Sequence, residues 1–141
     1  MSKTNKPILL LFVSAMSILL YSCSVSNQKR IAEEAVSTFH SRLNGEDYVA
    51  IYRDVDSDFR EITTDADATS LLIRVHRKLG TLESSKQVGW FVNVTPSGTL
   101  LTLTYESQFS EGNAKEQFIF RVRNRMPRLS KYTVESPLLL K

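Results

Sequence analysis

The only cysteine of the chain, Cys23, provides its one thiol and stands at the end of a distinctive N-terminal segment. The segment begins with Lys3 and Lys6 and continues as an apolar run over residues 7–20. A basic start, an apolar core and a small residue near the end are typical of a secretory signal peptide. The run is shorter than the ~20 residues that a membrane-spanning helix needs. The sequence therefore predicts an exported chain with a signal peptide over residues 1–22.

The four residues Leu20, Tyr21, Ser22 and Cys23 resemble the bacterial lipobox, in which a cysteine follows a small residue and a leucine stands three places earlier. The resemblance implies a diacylglyceryl group on the thiol, cleavage just before Cys23, and acylation of the new amine. Two or more such chains hold a protein stably on a membrane, since each buried methylene contributes ~0.8 kcal/mol. The alternative is a conventional cleavage that leaves Cys23 unmodified. Because Ser24 is not aspartate, the resemblance favours the outer membrane, facing the periplasm, in a Gram-negative host.

Charge and cysteine content limit what the mature chain can bind and how it is stabilised. The formal net charge of +3 includes Lys3 and Lys6, which leave with the signal peptide. The remaining chain is nearly neutral, so it gives no reason to expect nucleic acid as a partner. With Cys23 committed to lipid, no disulfide can form within the chain. The sequence contains no motif for a cofactor.

Three aspartates, Asp54, Asp56 and Asp58, have the spacing of the first three ligands of an EF-hand calcium loop. Phe59 occupies the position where the loop needs glycine, and Asp65 stands where the bidentate glutamate belongs. We therefore interpret the segment as a solvated acidic loop and predict no metal site. Serine nucleophile elbows, phosphate-binding glycine loops and His/Cys clusters are also missing, so no catalytic residue is assigned.

Basic residues recur at every second position late in the chain, at Arg121, Arg123 and Arg125, with Lys115 before them. On a strand this spacing places the side chains on one face, where they could contact anionic headgroups, an anionic polymer or an acidic envelope protein. A solvated charged face is the alternative. The same face, with Leu100 and Ile119, could instead be covered by a second subunit, which would make a homodimer.

Helices in the first half must position these groups. Apolar residues recur at helical spacing over 29–43, 48–55 and 65–79, and Gly45 and Gly80 follow the first and last of these segments. Residues 54–64, between the second and third of these segments, are predicted to be a polar connection whose Phe59 and Ile62 contact the core. Residues 23–29 are predicted to be the lipidated cysteine and a short flexible spacer.

After Gly80 the pattern changes to an alternation of apolar and polar residues, which predicts four strands and a bulge at Gly89. Turns are predicted at 96–98, 111–113 and 126–127. Short turns between consecutive strands make an antiparallel meander, and the helices must cover its apolar face. The sequence thus predicts one α+β domain over residues 30–136, followed by a tail over 137–141.

Helices followed by a curved four-stranded meander resemble the nuclear-transport-factor-2-like superfamily, with its cystatin-like cone. The resemblance is carried by segments 44–48, 79–84 and 103–106, with Phe59, Arg60, Phe109 and Glu116. It implies a pocket between sheet and helices. Some members of the superfamily are isomerases or dehydratases that use a buried carboxylate, histidine or tyrosine.

The resemblance implies that a ligand pocket in this chain would be lined by Tyr105, Trp90 and Phe118. The other candidates for its lining are His40, His76, Tyr52 and Tyr132. Each histidine follows a core residue directly, so we predict that both lie on the flanks of their helices. Tyr105 belongs to the inward face, where a tyrosine usually packs with its hydroxyl hydrogen-bonded.

The sequence therefore predicts a lipid-anchored bacterial protein whose domain binds a partner or ligand at the cell envelope without catalysis. One alternative is a small pocket enzyme of the isomerase or hydrolase type that uses Tyr105 or a nearby carboxylate. The other is a structural protein of the envelope.

Overall fold

The computed structural model describes residues 6–140, with side chains from Val25 onward. The helices come first and are α1 (Lys6–Asn44), α2 (Tyr48–Arg53), α3 (Ser57–Ile62) and α4 (Asp65–Leu79). The strands follow and are β1 (Leu82–Thr95), β2 (Gly98–Phe109), β3 (Gly112–Arg123) and β4 (Met126–Glu135). A 3₁₀ turn, Pro137–Leu140, ends the described chain. The predicted signal peptide and the Cys23 side chain lie outside the described side chains.

The four strands form one antiparallel sheet in the order β1-β2-β3-β4, which confirms the predicted α+β meander. The predicted bulge at Gly89 is also confirmed, because the β1–β2 register shifts between Gln87 and Gly89. Two further shifts occur, between Leu82 and Ser84 in the β1–β2 pair and between Ile119 and Phe120 in the β3–β4 pair. Bulges bend and twist a strand, so the sheet is curved at both of its sides.

The hydrophobic core lies between one face of this sheet and the helices. On β2 and β3 the inward residues are almost fully buried, and on α1 and α4 one stripe of each helix faces them. Thr64 caps α4 by accepting a hydrogen bond from the Asp67 backbone amide, and Gly80 ends it with a positive φ of 78°. The largest fully buried apolar side chains are Phe118, Phe120, Leu43, Leu79, Leu101 and Leu103.

The stretch before α4, predicted to be a polar connection, contains the short helix α3 (Ser57–Ile62). The prediction of a connection without a helix was therefore wrong. Asp56 has extended backbone angles and its side chain accepts a hydrogen bond from the Asp58 amide, which is the geometry of an N-cap. Phe59 is buried on the inner side of α3. The alternating aspartates were interpreted as a loop and not as a helix start, because the same residue types also favour turns.

Three boundaries also differ from the predictions. The last turn lies at Asn124 and Arg125, whose φ angles are 51° and 64°, and not at 126–127. Positive φ at both central residues suits a tight hairpin. The segment predicted as a tail forms a 3₁₀ turn whose Leu138 and Leu139 pack against the core. Residues 24–28, predicted as a flexible spacer, continue the backbone of α1.

Among the residues whose side chains the structure describes, no helix has the length and apolar content needed to cross a membrane.

Candidate functional site

A buried carboxylate, that of Glu116, forms the centre of the most concentrated polar cluster in the core. Its side chain is 0% exposed. Oε2 lies 2.8 Å from Nε2 of His40 and accepts a hydrogen bond of 2.5 Å from Oγ of Ser107. Oε1 accepts a hydrogen bond of 2.7 Å from the hydroxyl of Tyr132. We call His40, Ser107, Glu116 and Tyr132 the buried polar cluster.

Four different elements position the buried polar cluster. His40 comes from α1, Ser107 from β2, Glu116 from β3 and Tyr132 from β4. The strand register brings Tyr132 opposite Phe118, two residues from Glu116 on the same face. The cluster therefore exists only in the folded chain, and it ties α1 to three strands of the sheet.

The pKa values in the cluster favour an ionised Glu116 and a neutral Tyr132. Burial raises the pKa of Glu116, but the His40 contact and the hydroxyls of Ser107 and Tyr132 outweigh it, so the net pKa lies below the ordinary value. Burial and the Glu116 charge hold the pKa of Tyr132 well above its ordinary value. Because an ionised carboxylate only accepts hydrogen bonds, Nε2 of His40 must carry a hydrogen.

A histidine, a carboxylate and a tyrosine can together move protons, but this cluster is closed. Both oxygens of Glu116 are occupied by three donors. Neither Glu116 nor His40 lines the two larger clefts described below. A general base must reach the proton that it removes, so the buried positions of Glu116 and His40 favour a role in stabilising the fold.

An apolar cleft of about 220 Å³ opens between α1, α2 and the β3–β4 pair. Its floor is formed by buried apolar side chains, namely Phe39, Ile51, Val55, Phe118, Phe120 and Leu129. Arg42 and Arg128 stand among the lining residues. A guanidinium nitrogen of Arg42 is held by a hydrogen bond of 2.7 Å to Asp54, whereas the exposed Arg128 forms no ion pair within residues 25–140. The cleft is therefore an apolar slot with one available positive charge.

The three residues predicted to line a pocket do not share the apolar cleft. Phe118 lines the apolar cleft, whereas Tyr105 and Trp90 do not. Tyr105 is inward and buried, as predicted, and its ring centroid lies 5.8 Å from that of Phe118. Burial, with the charges of Glu33 and Glu116, raises the pKa of Tyr105 to about 12. Trp90 lies on the edge strand β1 and is 49% exposed, so it stands outside the apolar cleft.

The two histidines differ from each other, although the sequence placed both on helix flanks. His40 is buried in the polar cluster, so that prediction was wrong for it. His76 is partly buried, with Nδ1 4.0 Å from Oε1 of Glu46. Its Nε2 is buried and has no hydrogen-bond partner among the described residues. Tyr52 donates a hydrogen bond of 3.1 Å to the carbonyl of Thr63 and belongs to the packing of α3.

The predicted anionic-contact surface is largely neutralised within the molecule. Nε of Arg121 lies 2.8 Å from Asp58. Arg123 contacts Asp56 at 3.2 Å and Asp58 at 2.6 Å. Arg121 and Arg123 are therefore paired with carboxylates at the start of α3, and their contact with an external anion stays a prediction. Arg125 stays exposed in the last hairpin turn and forms no ion pair in the described chain.

The same contacts explain the aspartates that resemble a calcium loop. Burial raises the pKa of Asp56, but the hydrogen bonds from Arg123 and from the Asp58 amide lower it further, so the net pKa is below the ordinary value. Asp54 pairs with Arg42. Within the described residues no group of three His, Cys, Asp or Glu side chains could hold a metal ion.

A row of alternating charges crosses the outer face of the sheet beside a shallow polar groove of about 550 Å³. The register places Lys86 opposite Glu106, Glu106 opposite Lys115, and Lys115 opposite Glu135. Opposite charges in directly facing positions stabilise a sheet modestly. Lys115 is thus matched from both sides and adds little to a basic surface.

Two members of the buried polar cluster, Glu116 and Ser107, were not predicted to be buried polar residues. Glu116 stands at period two with Phe118 and Phe120, and Ser107 stands between Tyr105 and Phe109 on β2. The strand alternation assigns both to the inward face. That signal could have identified the cluster, because a carboxylate on an apolar face requires buried partners.

No model of a known protein family matches this chain, and no curated protein matches it significantly.

Proposed function

We propose that this chain is a bacterial lipoprotein, anchored through acylated Cys23, whose domain binds a ligand or partner at the cell envelope without catalysis. The α+β domain is proposed to be a cone of the nuclear-transport-factor-2-like type. The anchor rests on the order of basic, apolar and small residues over 1–23. The binding role rests on the apolar cleft between α1, α2 and the β3–β4 pair.

The apolar cleft favours a ligand with an alkyl segment and an acidic group. Its floor is apolar, and few polar groups are available to fix a ligand, which is typical of small-molecule sites. Arg42 is already paired with Asp54, so Arg128 is the guanidinium left to meet a carboxylate or phosphate. Fatty acids and the acyl chains of envelope lipids share this chemistry, as do apolar side chains of an acidic envelope protein.

Binding is preferred over catalysis because of how Glu116 is surrounded. An enzyme of the isomerase or hydrolase type would need a carboxylate, histidine or tyrosine that a substrate reaches. Glu116 is 0% exposed and accepts hydrogen bonds from three side chains. The cluster supports a stabilising role, and the cleft supports a binding role.

Decanoate is the probe for the apolar cleft, and decanol is the uncharged comparison. Binding is measured as a change in the thermal unfolding midpoint of the full-length protein in detergent. We expect decanoate to raise the midpoint more than decanol, because ligands that bind the folded state stabilise it. Ala35→Phe should remove the shift by filling the cleft, and Arg128→Gln should remove the advantage of decanoate. Val49→Phe, on the exposed side of α2, is the control. An unchanged decanoate shift in Ala35→Phe would exclude the cleft as the site.

The anchor is tested separately by mass spectrometry of the native N-terminus and by membrane fractionation of Cys23→Ser. We expect the native protein to begin at Cys23 with added acyl mass, and Cys23→Ser to leave the membrane fraction. An unacylated native N-terminus would contradict the anchor without bearing on the cleft.

A further inference from the structure

The first strand, β1, carries large apolar side chains that the core does not use. Val88, Trp90, Phe91 and Val94 are 46%, 49%, 56% and 68% exposed. β1 pairs only with β2 and therefore forms one edge of the sheet. Large apolar side chains left exposed together on one strand are candidates for contact with a partner or a membrane. We call these four residues the apolar edge.

The apolar edge lies at the same end of the domain as Cys23, which is the end opposite to Asn44. Helix α1 and strand β1 contact each other at two places. At the first, the Asn44 side chain binds the backbone of Leu82, with distances of 2.8 Å to its amide and 3.0 Å to its carbonyl. At the other end, Nζ of Lys29 lies 5.6 Å from the ring centre of Trp90. Helix α1 and strand β1 therefore run in opposite directions, with Asn44 beside Leu82 and Lys29 beside Trp90.

Beyond the contact of Lys29 with Trp90, both elements continue away from the Asn44 contact. α1 reaches Cys23 six residues before Lys29, which is about 9 Å of helix at 1.5 Å per residue. β1 continues from Trp90 to Thr95, about 17 Å at 3.3 Å per residue. The β1–β2 hairpin and Cys23 thus lie at the same end of the domain. A lipid on Cys23 would bring the apolar edge to the membrane surface.

A second hairpin turn lies at this end of the sheet. The register pairs Thr99 with Val122 and Arg123 with Met126, so the β3–β4 turn is on the same side as the β1–β2 turn. Met126 is 55% exposed, and Arg125 is exposed beside it. Apolar side chains with an adjacent guanidinium match the apolar and anionic layers of a lipid–water interface.

We propose that the apolar edge, with the β1–β2 hairpin, lies in the lipid–water interface of the membrane that holds acylated Cys23. This inference rests on the proposed lipid anchor. Tryptophan prefers the interface because its ring is apolar and its N–H is polar. Val94 and Phe91 place apolar atoms on either side of the same strand, so a flat membrane surface accommodates both better than a single groove does.

A second copy of the chain is the other occupant that an edge strand could attract. Edge-to-edge pairing needs a regular row of backbone donors and acceptors. The bulge between Gln87 and Gly89 interrupts that row in the middle of β1. The regular part of the edge is therefore shortened to residues 89–95, whereas a lipid surface requires no register.

Trp90 is the only tryptophan of the chain, so its fluorescence reports on the apolar edge alone. The native full-length protein is reconstituted into vesicles of phosphatidylcholine and phosphatidylglycerol whose acyl chains are brominated near the headgroup. We expect a blue-shifted emission and quenching of about twofold relative to unbrominated vesicles, because interfacial tryptophans lie at that depth. Emission that aqueous iodide quenches and brominated lipid does not would overturn the inference.

Val94→Ser provides the specific variant, and Val49→Ser on α2 is its match, since Val49 is 71% exposed and Val94 is 68% exposed. We expect Val94→Ser to reduce quenching by brominated lipid and Val49→Ser to leave it unchanged. Equal effects of both variants would contradict the assigned surface. Trp90 shielded from iodide and lipid alike, with cross-linked dimers, would assign the edge to a second copy and overturn the inference.

Vesicle flotation separates this inference from the proposed anchor. Native protein that floats with Trp90 quenched by brominated lipid supports both. Native protein that floats with an unquenched Trp90 overturns the membrane contact and leaves the anchor standing. Native protein that fails to float overturns the anchor and, with it, the membrane contact.

Discussion

Strands β1 and β3 show similar alternation of apolar and polar residues in the sequence. In the fold, the apolar face of β3 is buried, whereas much of the apolar face of β1 is exposed. On β3 the inward side chains Glu116, Phe118 and Phe120 are at most 1% exposed. On β1 the corresponding apolar residues Trp90 and Val94 remain about half exposed or more. β3 lies inside the sheet under α1, and β1 lies at its edge. A period of two thus identifies a face, and the position of the strand decides whether that face is buried.

The two strands also differ in the side chains that set them apart from an ordinary amphipathic strand. The interior strand carries a carboxylate that is fully satisfied by side chains from three other elements. The edge strand carries an apolar surface close to the proposed anchor. The interior cluster should therefore control stability, whereas the edge should control surface contacts, and the following variants test that division.

Glu116→Ala should have the largest effect, because it leaves His40, Ser107 and Tyr132 buried without their shared acceptor. Each buried donor or acceptor left unsatisfied costs about 1–3 kcal/mol. The free energy of unfolding from urea titration measures the loss, and Glu116→Gln, which keeps the shape and part of the hydrogen bonding, should lose less. Equal stability of the wild type and Glu116→Ala would show that the cluster does not hold the core.

Phe120→Ala should follow closely. Phe120 is 1% exposed, and truncation of a buried phenylalanine costs about 3–5 kcal/mol through lost burial and a cavity. Phe120 lines the apolar cleft, so part of the cavity could be relieved by decanoate. Urea titration with and without decanoate distinguishes a simple cavity from an enlarged binding site.

Acidification should weaken the fold through Glu116. Its pKa in the folded state is lowered from an unfolded value of about 4.3. A lowered folded pKa gives stability that is fully present above the unfolded pKa and is lost as the pH falls through the folded pKa. Stability should therefore fall below about pH 4, and the slope should be smaller in Glu116→Gln. Identical pH profiles would assign the loss to other carboxylates, such as Asp54 and Asp56, whose pKa values are also lowered.

Asp56→Ala should have an intermediate effect at the end of the sheet where α3 meets β3. The variant removes the N-cap of α3 and the partner of Arg123. Loss of an N-cap costs about 1 kcal/mol, with an upper range near 2 kcal/mol. Urea titration measures it, and Asp56→Asn, which retains a capping oxygen, is the control. A loss in Asp56→Asn as large as in Asp56→Ala would assign the effect to the ion pair.

Phe91→Ala should have the smallest effect on stability and is the matched counterpart of Phe120→Ala. Phe91 is 56% exposed on β1, and surface substitutions usually change stability by less than about 0.5 kcal/mol. A destabilisation close to that of Phe120→Ala would erase the distinction between the two strands.

Much of the fold could be predicted from the sequence because its signals are local. The caps at Thr64 and Gly80, the bulge at Gly89 and the alternation on β2 and β3 each depend on a few neighbouring residues. α3 was missed because its aspartates also favour turns. The partners of Arg121 and Arg123 were missed because Asp58 and Asp56 lie more than sixty residues away in the chain.

The sequence by itself determined helices α1, α2 and α4, the succession of four strands and the presence of a lipobox-like segment at Cys23, since each is written in adjacent residues. Only the tertiary structure decided that His40 meets Glu116 across 76 positions and that β1 forms an edge. The physical reason is that periodicity sets the direction of a side chain, whereas its partners depend on which distant elements the packing of the core brings to it.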